Sequence, residues 1–135
     1  MAEMKIVNTK NTGESLLAKY NLKTLPIVNT VDQAIKSKLP TLNKLSKIDA
    51  EKAVALVALY IDELCIELNI GDKMSTTNIN LTAIRIIQKY GYMKLSDIIF
   101  ILNKFLDGEI KLYGSISRRD IMGALHDHSQ IRSMK

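Results

Sequence analysis

The stretch A-V-A-L-V-A-L-Y-I, Ala53 to Ile61, is nine apolar residues without a break. At 3.6 residues per turn, such a run covers every side of a helix. A helix apolar all round has to be surrounded by other structure. It is too short to span a bilayer, which takes roughly 20 apolar residues, and Asp62 and Glu63 end it. A chain of 135 residues suits one domain with one modest core. The run therefore predicts a central helix with the other elements packed around it.

The neighbouring pattern gives that helix its bounds. Ser46 and Asp49 are candidate N-caps, the periodicity runs over 50–69, and Gly71 is the expected stop. Its second half is amphipathic: Ile61, Leu64 and Leu68 share a face, while Asp62, Glu63 and Glu67 can meet water. Three more helices follow. Thr77 or Asn78 caps one ending at Tyr90-Gly91, Ser96 caps one over 97–106 ending at Gly108, and Ser117 caps one from Arg118 to about His126. Asp120, three residues after Ser117, gives an acidic capping box. The alternation of Ile110, Leu112 and Ile116 around Gly114 predicts a brief extended segment or hairpin.

Residues 1–48 read differently. They hold both prolines, Pro26 and Pro40, and only short periodic stretches. A short helix is expected over 13–20. A second opens at Thr30, with Gln33 at capping-box spacing, and must end before Pro40. The expected fold is all-α: a compact helical domain of about four principal helices over 49–135, with an irregular basic N-terminal arm over 1–48. The arm orders either on a partner or against the core.

Charge divides the chain into three. Residues 1–48 carry eight lysines against three acids, residues 49–74 two lysines against six acids, and residues 75–135 nine Lys or Arg against five acids. Two basic ends flank an acidic middle, although the net charge of +5 is modest. A basic surface suits nucleic acid or an acidic partner protein. The single cysteine, Cys65, makes no internal disulfide and no cysteine-rich zinc site; it reads as a small buried apolar residue in a reducing, cytoplasmic setting. MAEMKIVNTK lacks the apolar stretch of a secretory leader.

Chemistry-bearing motifs are few. His126 and His128 lie two apart, about 200° round a helix, so they do not converge on a metal. They read as polar residues at a fraying, solvated helix end. There is no HExxH, GxxxxGK[ST] or GxGxxG string. The expectation is no enzyme, no metal, no cofactor and no small-molecule substrate.

Two sets of residues can make contacts. Arg118 and Arg119 open a helix where free N–H groups and the dipole already favour phosphate, with Lys111 and Tyr113 in the segment before them; these four are the candidate nucleic-acid residues. The helix over 97–106 is apolar nearly all round. That surplus points to self-association or a protein partner through Ile98, Ile101 and Phe105.

The string YGYMKLSDIIFILNKFLDGEIKLYGSISRRDIMGALHDHSQIR, 90–132, resembles the C-terminal part of small helical proteins from phages and mobile elements of Bacteroidetes-type bacteria. The matching positions are Tyr90, Tyr92, Leu95, Asp97, Ile98, Gly108, Tyr113, Gly114, Asp120 and Arg132; the usual tyrosine near the end is His128 here. The resemblance covers about a third of the chain and implies a replication accessory protein, helicase-loader-like, in the cytoplasm of a bacterial host. The leading expectation is a non-enzymatic phage-type accessory protein acting through protein or nucleic-acid contacts. Two alternatives stay open. One is a virion or assembly protein that oligomerises through apolar helices. The other is a phage inhibitor of a host protein, meeting it through Asp62, Glu63, Glu67 and Asp72.

Overall fold

The computed structural model describes residues 16–71 and 73–135. Six α-helices follow a 3-10 turn at Leu22–Thr24: α1 Val31–Lys36, α2 Leu42–Ile48, α3 Ala50–Leu68, α4 Thr76–Tyr90, α5 Leu95–Leu106 and α6 Arg118–Ser133. Among the described residues there is no strand, and Thr41 and Lys94 form an isolated antiparallel bridge. No described helix is long and apolar enough to cross a membrane. The all-α expectation holds.

α3 is central. It buries Leu56, Val57, Tyr60, Ile61, Leu64 and Cys65 and packs against α2, α4 and α5. α6 lies across α1, α4 and α5. Asp49 caps α3 by accepting the Lys52 N–H, while Ser46 lies within α2. The helix stops at Asn69, which takes the left-handed conformation at φ 51°, two residues before the expected Gly71. Asparagine tolerates that region.

Three caps differ from expectation. The cap of α4 lies two residues before Thr77, at Ser75, whose hydroxyl accepts the Asn78 N–H. Ser96 is no cap: it is buried in the first turn of α5 and its hydroxyl donates to the Ala34 carbonyl at 2.7 Å. α6 runs to Ser133, well past His126. The expected extended segment after α5 is irregular. The backbone turns at Gly108 (φ 78°) and Gly114 (φ 85°), Ile116 is buried, and the N–H groups of Glu109 and Ile110 both donate to the Lys104 carbonyl.

Residues 16–48 pack against the core. Of the short helix expected over 13–20, residues 16–19 are helical and 13–15 lie outside the described residues. Leu16, Val28, Ala34, Leu42 and Leu45 are buried, and the Tyr60 hydroxyl donates to the Tyr20 carbonyl. Because α1 has only six residues, its terminal carbonyls need partners from elsewhere. α5 supplies them: the Lys94 ammonium donates to the carbonyls of Ile35 (2.6 Å) and Ser37 (2.7 Å), beside the Ser96 bond.

Candidate nucleic-acid interface

α4 and α6 pack against each other, and the seam between them is lined by cations. Arg85 and Lys89 stand four residues apart on α4, hence on one face. Arg118 and Arg119 are the first two residues of α6. With Met122 these four line a concavity of about 320 Å³ that has no acidic side chain in its lining. All four are exposed, and among the described residues none is in an ion pair.

Local structure explains why α6 presents its arginines there. The Ser117 hydroxyl accepts the Asp120 N–H (3.4 Å) and the Asp120 carboxylate accepts the Ser117 N–H (2.9 Å), closing the expected capping box. That fixes the first turn, while Ile121 and Leu125 bury the opposite face. The helix start adds positive dipole character to the guanidinium groups. Four cations beside a helix start are complementary in charge to anionic oxygens such as those of phosphate.

The four sequence candidates do not form one site. Arg118 and Arg119 join Arg85 and Lys89, while Lys111 and Tyr113 line a separate concavity with Leu68, Ile70, Phe105 and Ile110. Tyr113 is 92% exposed. Arg85 and Lys89 escaped the sequence reading. Their spacing on α4 was visible, but their meeting with residues 33 and 30 positions further on depends on how α4 packs on α6.

The expected protein-binding residues are corrected. Ile98, Ile101 and Phe105 are each 3% exposed or less and belong to the core. The apolar surplus of this helix is absorbed by α1, α3 and α6, so these side chains offer no docking face.

His128 is corrected too. It lies on a helix that continues beyond it, is buried, and its Nε2 is 2.8 Å from Asp97 Oδ1. The Nε of Arg132, one turn on, lies 3.3 Å from each Asp97 oxygen, and its guanidinium stands 5.7 Å from the centre of the Tyr92 ring. The Lys94 N–H donates to the other carboxylate oxygen at 2.8 Å. Burial alone would push the Asp97 carboxyl up. The bonds from His128 and the Lys94 N–H, with the nearby Arg132 charge, outweigh it, and the net shift is below the usual carboxylate value. This is a buried polar knot joining α5 to α6: the Asp97 carboxylate is enclosed by its donors, and Asp97 and Arg132 do not line the concavity that His128 borders with Ile101 and Ala124, so we assign the knot to the fold. Among the described residues no three His, Cys, Asp or Glu side chains gather as a metal site.

Comparison with protein-family models, curated proteins and solved structures finds no match for this chain.

Proposed function

We propose that this chain is a non-enzymatic accessory protein that grips nucleic-acid backbone through the α4–α6 seam. It would act as an adaptor in the phage-replication setting that the resemblance over 90–132 implies. The observation that carries the reading is the cluster of Arg85, Lys89, Arg118 and Arg119 around one acid-free concavity. A surface whose only task is solubility gains nothing from placing four like charges side by side without counter-ions, since like charges within a Debye length repel. Phosphate relieves that repulsion.

The reading recognises backbone rather than sequence. Arg118 and Arg119 are side by side at a helix start, a geometry that suits phosphate, and the other α6 side chain in their concavity is the apolar Met122. The test is fluorescence anisotropy with a short labelled duplex and a single strand across a salt series. With up to four phosphates neutralised, log affinity against log salt should slope by about −3 to −4 on duplex. Replacing Arg85, Arg118 and Arg119 together with alanine should flatten that slope to about −1, the share left to Lys89. Equal binding by the triple variant at low salt would dispose of the seam as the contact surface.

A further inference from the structure

Another concavity lies between α3 and α5 and is closed at one end by the segment 22–27. Its floor and walls are apolar: Leu64 from α3, Ile99 and Leu102 from α5, and Leu25 and Pro26 from the closing segment. Two large apolar side chains on its rim face water, Ile27 at 79% and Leu106 at 38% exposure. Such exposure on the rim of an apolar hollow differs from scattered surface leucines, because contiguous apolar surface costs solvation and marks contact sites.

Size and charge narrow the occupant. The hollow measures about 210 Å³, below the roughly 300–1,000 Å³ typical of small-molecule pockets. It has the scale of an anchor for a peptide's side chains. Among the described residues, the charged side chains lining it are Glu63 and Glu67, both acidic. They stand four apart on α3, so they project from the same side of that helix. They also sit in its last two turns, where the dipole already favours a cation. An apolar hollow with an acidic rim on a chain whose net charge is +5 is a local reversal of sign; a basic ligand fits it and nucleic acid does not.

We propose that this groove docks a segment of a partner protein in which a large apolar side chain is followed or preceded by lysine or arginine. The apolar anchor enters between Leu64 and Leu102, and the cation pairs with Glu63 and Glu67. The protein then has two faces of opposite sign: a basic seam on α4 and α6, and an acidic-rimmed groove on α3 and α5. The groove proposal rests on its own residues and stands or falls independently of the seam.

The test uses the full chain as bait for a displayed library of short random peptides, followed by anisotropy with the most enriched peptides synthesised. Enrichment of large apolar residues next to lysine or arginine, with acids depleted, is the expected result. Affinity for those peptides should fall roughly tenfold or more in the Glu63→Lys, Glu67→Lys double variant. It should fall similarly in Ile27→Asp, a change at a side chain exposed enough to leave the fold intact. No enrichment, enrichment of acidic peptides, or peptides that bind both variants as well as wild type would overturn the proposal. So would light scattering that shows wild type dimerising and the charge-reversed variant monomeric, because the groove's occupant would then be a second copy of this chain.

Discussion

The two ends of α6 carry the same residue type in opposite circumstances. At its start Arg118 and Arg119 project into water beside two further cations, with no acid in the lining of their concavity. Near its end the side chain of Arg132 is 21% exposed and bonded to an Asp97 side chain that is fully buried. The difference lies in the partner. A buried carboxylate costs several kcal/mol unless donors surround it, and α6 delivers two of those donors, His128 and Arg132, one turn apart. The start of the helix faces no such demand, so its arginines stay available for a ligand. One helix thus fastens the fold at one end and presents charge at the other.

The largest effect that tests this contrast is the loss of the carboxylate. Asp97→Ala leaves His128, Arg132 and the Lys94 N–H without their shared acceptor. Breaking a buried pair from one side costs about 3–5 kcal/mol, so the urea midpoint should drop steeply. Arg118→Ala with Arg119→Ala should leave that midpoint where it is. Similar drops in both variants would erase the distinction between a fastening end and a presenting end.

Next in size is the response to acid. The folded Asp97 carboxyl sits below its usual value, so its ionised form is favoured by folding. That contribution is fully present above the unfolded carboxylate's pKa of about 3.9. It is lost as pH falls below that value and through the folded one. Asp97→Asn removes the titration. The stability gap between wild type and Asp97→Asn should therefore be widest near neutral pH and shrink below about pH 4. A gap independent of pH would show that Asp97 contributes by shape alone.

Smaller again is Ser96→Ala, which leaves the buried Ala34 carbonyl without the hydroxyl that caps it. The expected cost is about 1–3 kcal/mol by denaturant titration. The effect should also concentrate in α1, whose amides should lose protection from hydrogen exchange before those of α3. Uniform loss across the chain would mean that α1 and the core unfold as one unit.

These residues mark what the sequence made legible. The unbroken apolar run over 53–61 demanded a central helix, and α3 is one. The capping box of Ser117 and Asp120 was readable because both partners lie within one turn. His128 was misread because α6 was ended near 126. Extended to Ser133, Ile121, Leu125, His128 and Arg132 fall at spacings of four, three and four, one buried stripe of a single helix. The stripe was in the sequence; the acceptor across from it, 31 residues earlier, was not. The same limit hid Ser96, which looked like a cap because serine commonly is one. Its partner, the Ala34 carbonyl, sits on an element 62 residues away. In the seam, Arg118 and Arg119 were found from local features, whereas Arg85 and Lys89 join them only through packing.

The smallest expected effect separates the seam from its former companion. Lys111 was grouped with Arg118 and Arg119 because it is close in sequence. The structure places it instead in a concavity with Leu68, Ile70 and Tyr113. Lys89, 29 residues from Arg118, lines the seam. Each phosphate contact contributes about one unit to the salt slope. Lys89→Ala should accordingly reduce the slope on a DNA duplex by about one, and Lys111→Ala should leave it unchanged. Neither lysine is buried, so both variants should keep the wild-type urea midpoint and the slopes can be compared directly. If Lys111→Ala lowered the slope and Lys89→Ala did not, the contact surface would follow the 107–117 connection rather than the α4–α6 seam, and the presenting end of α6 would have to be redrawn around that loop.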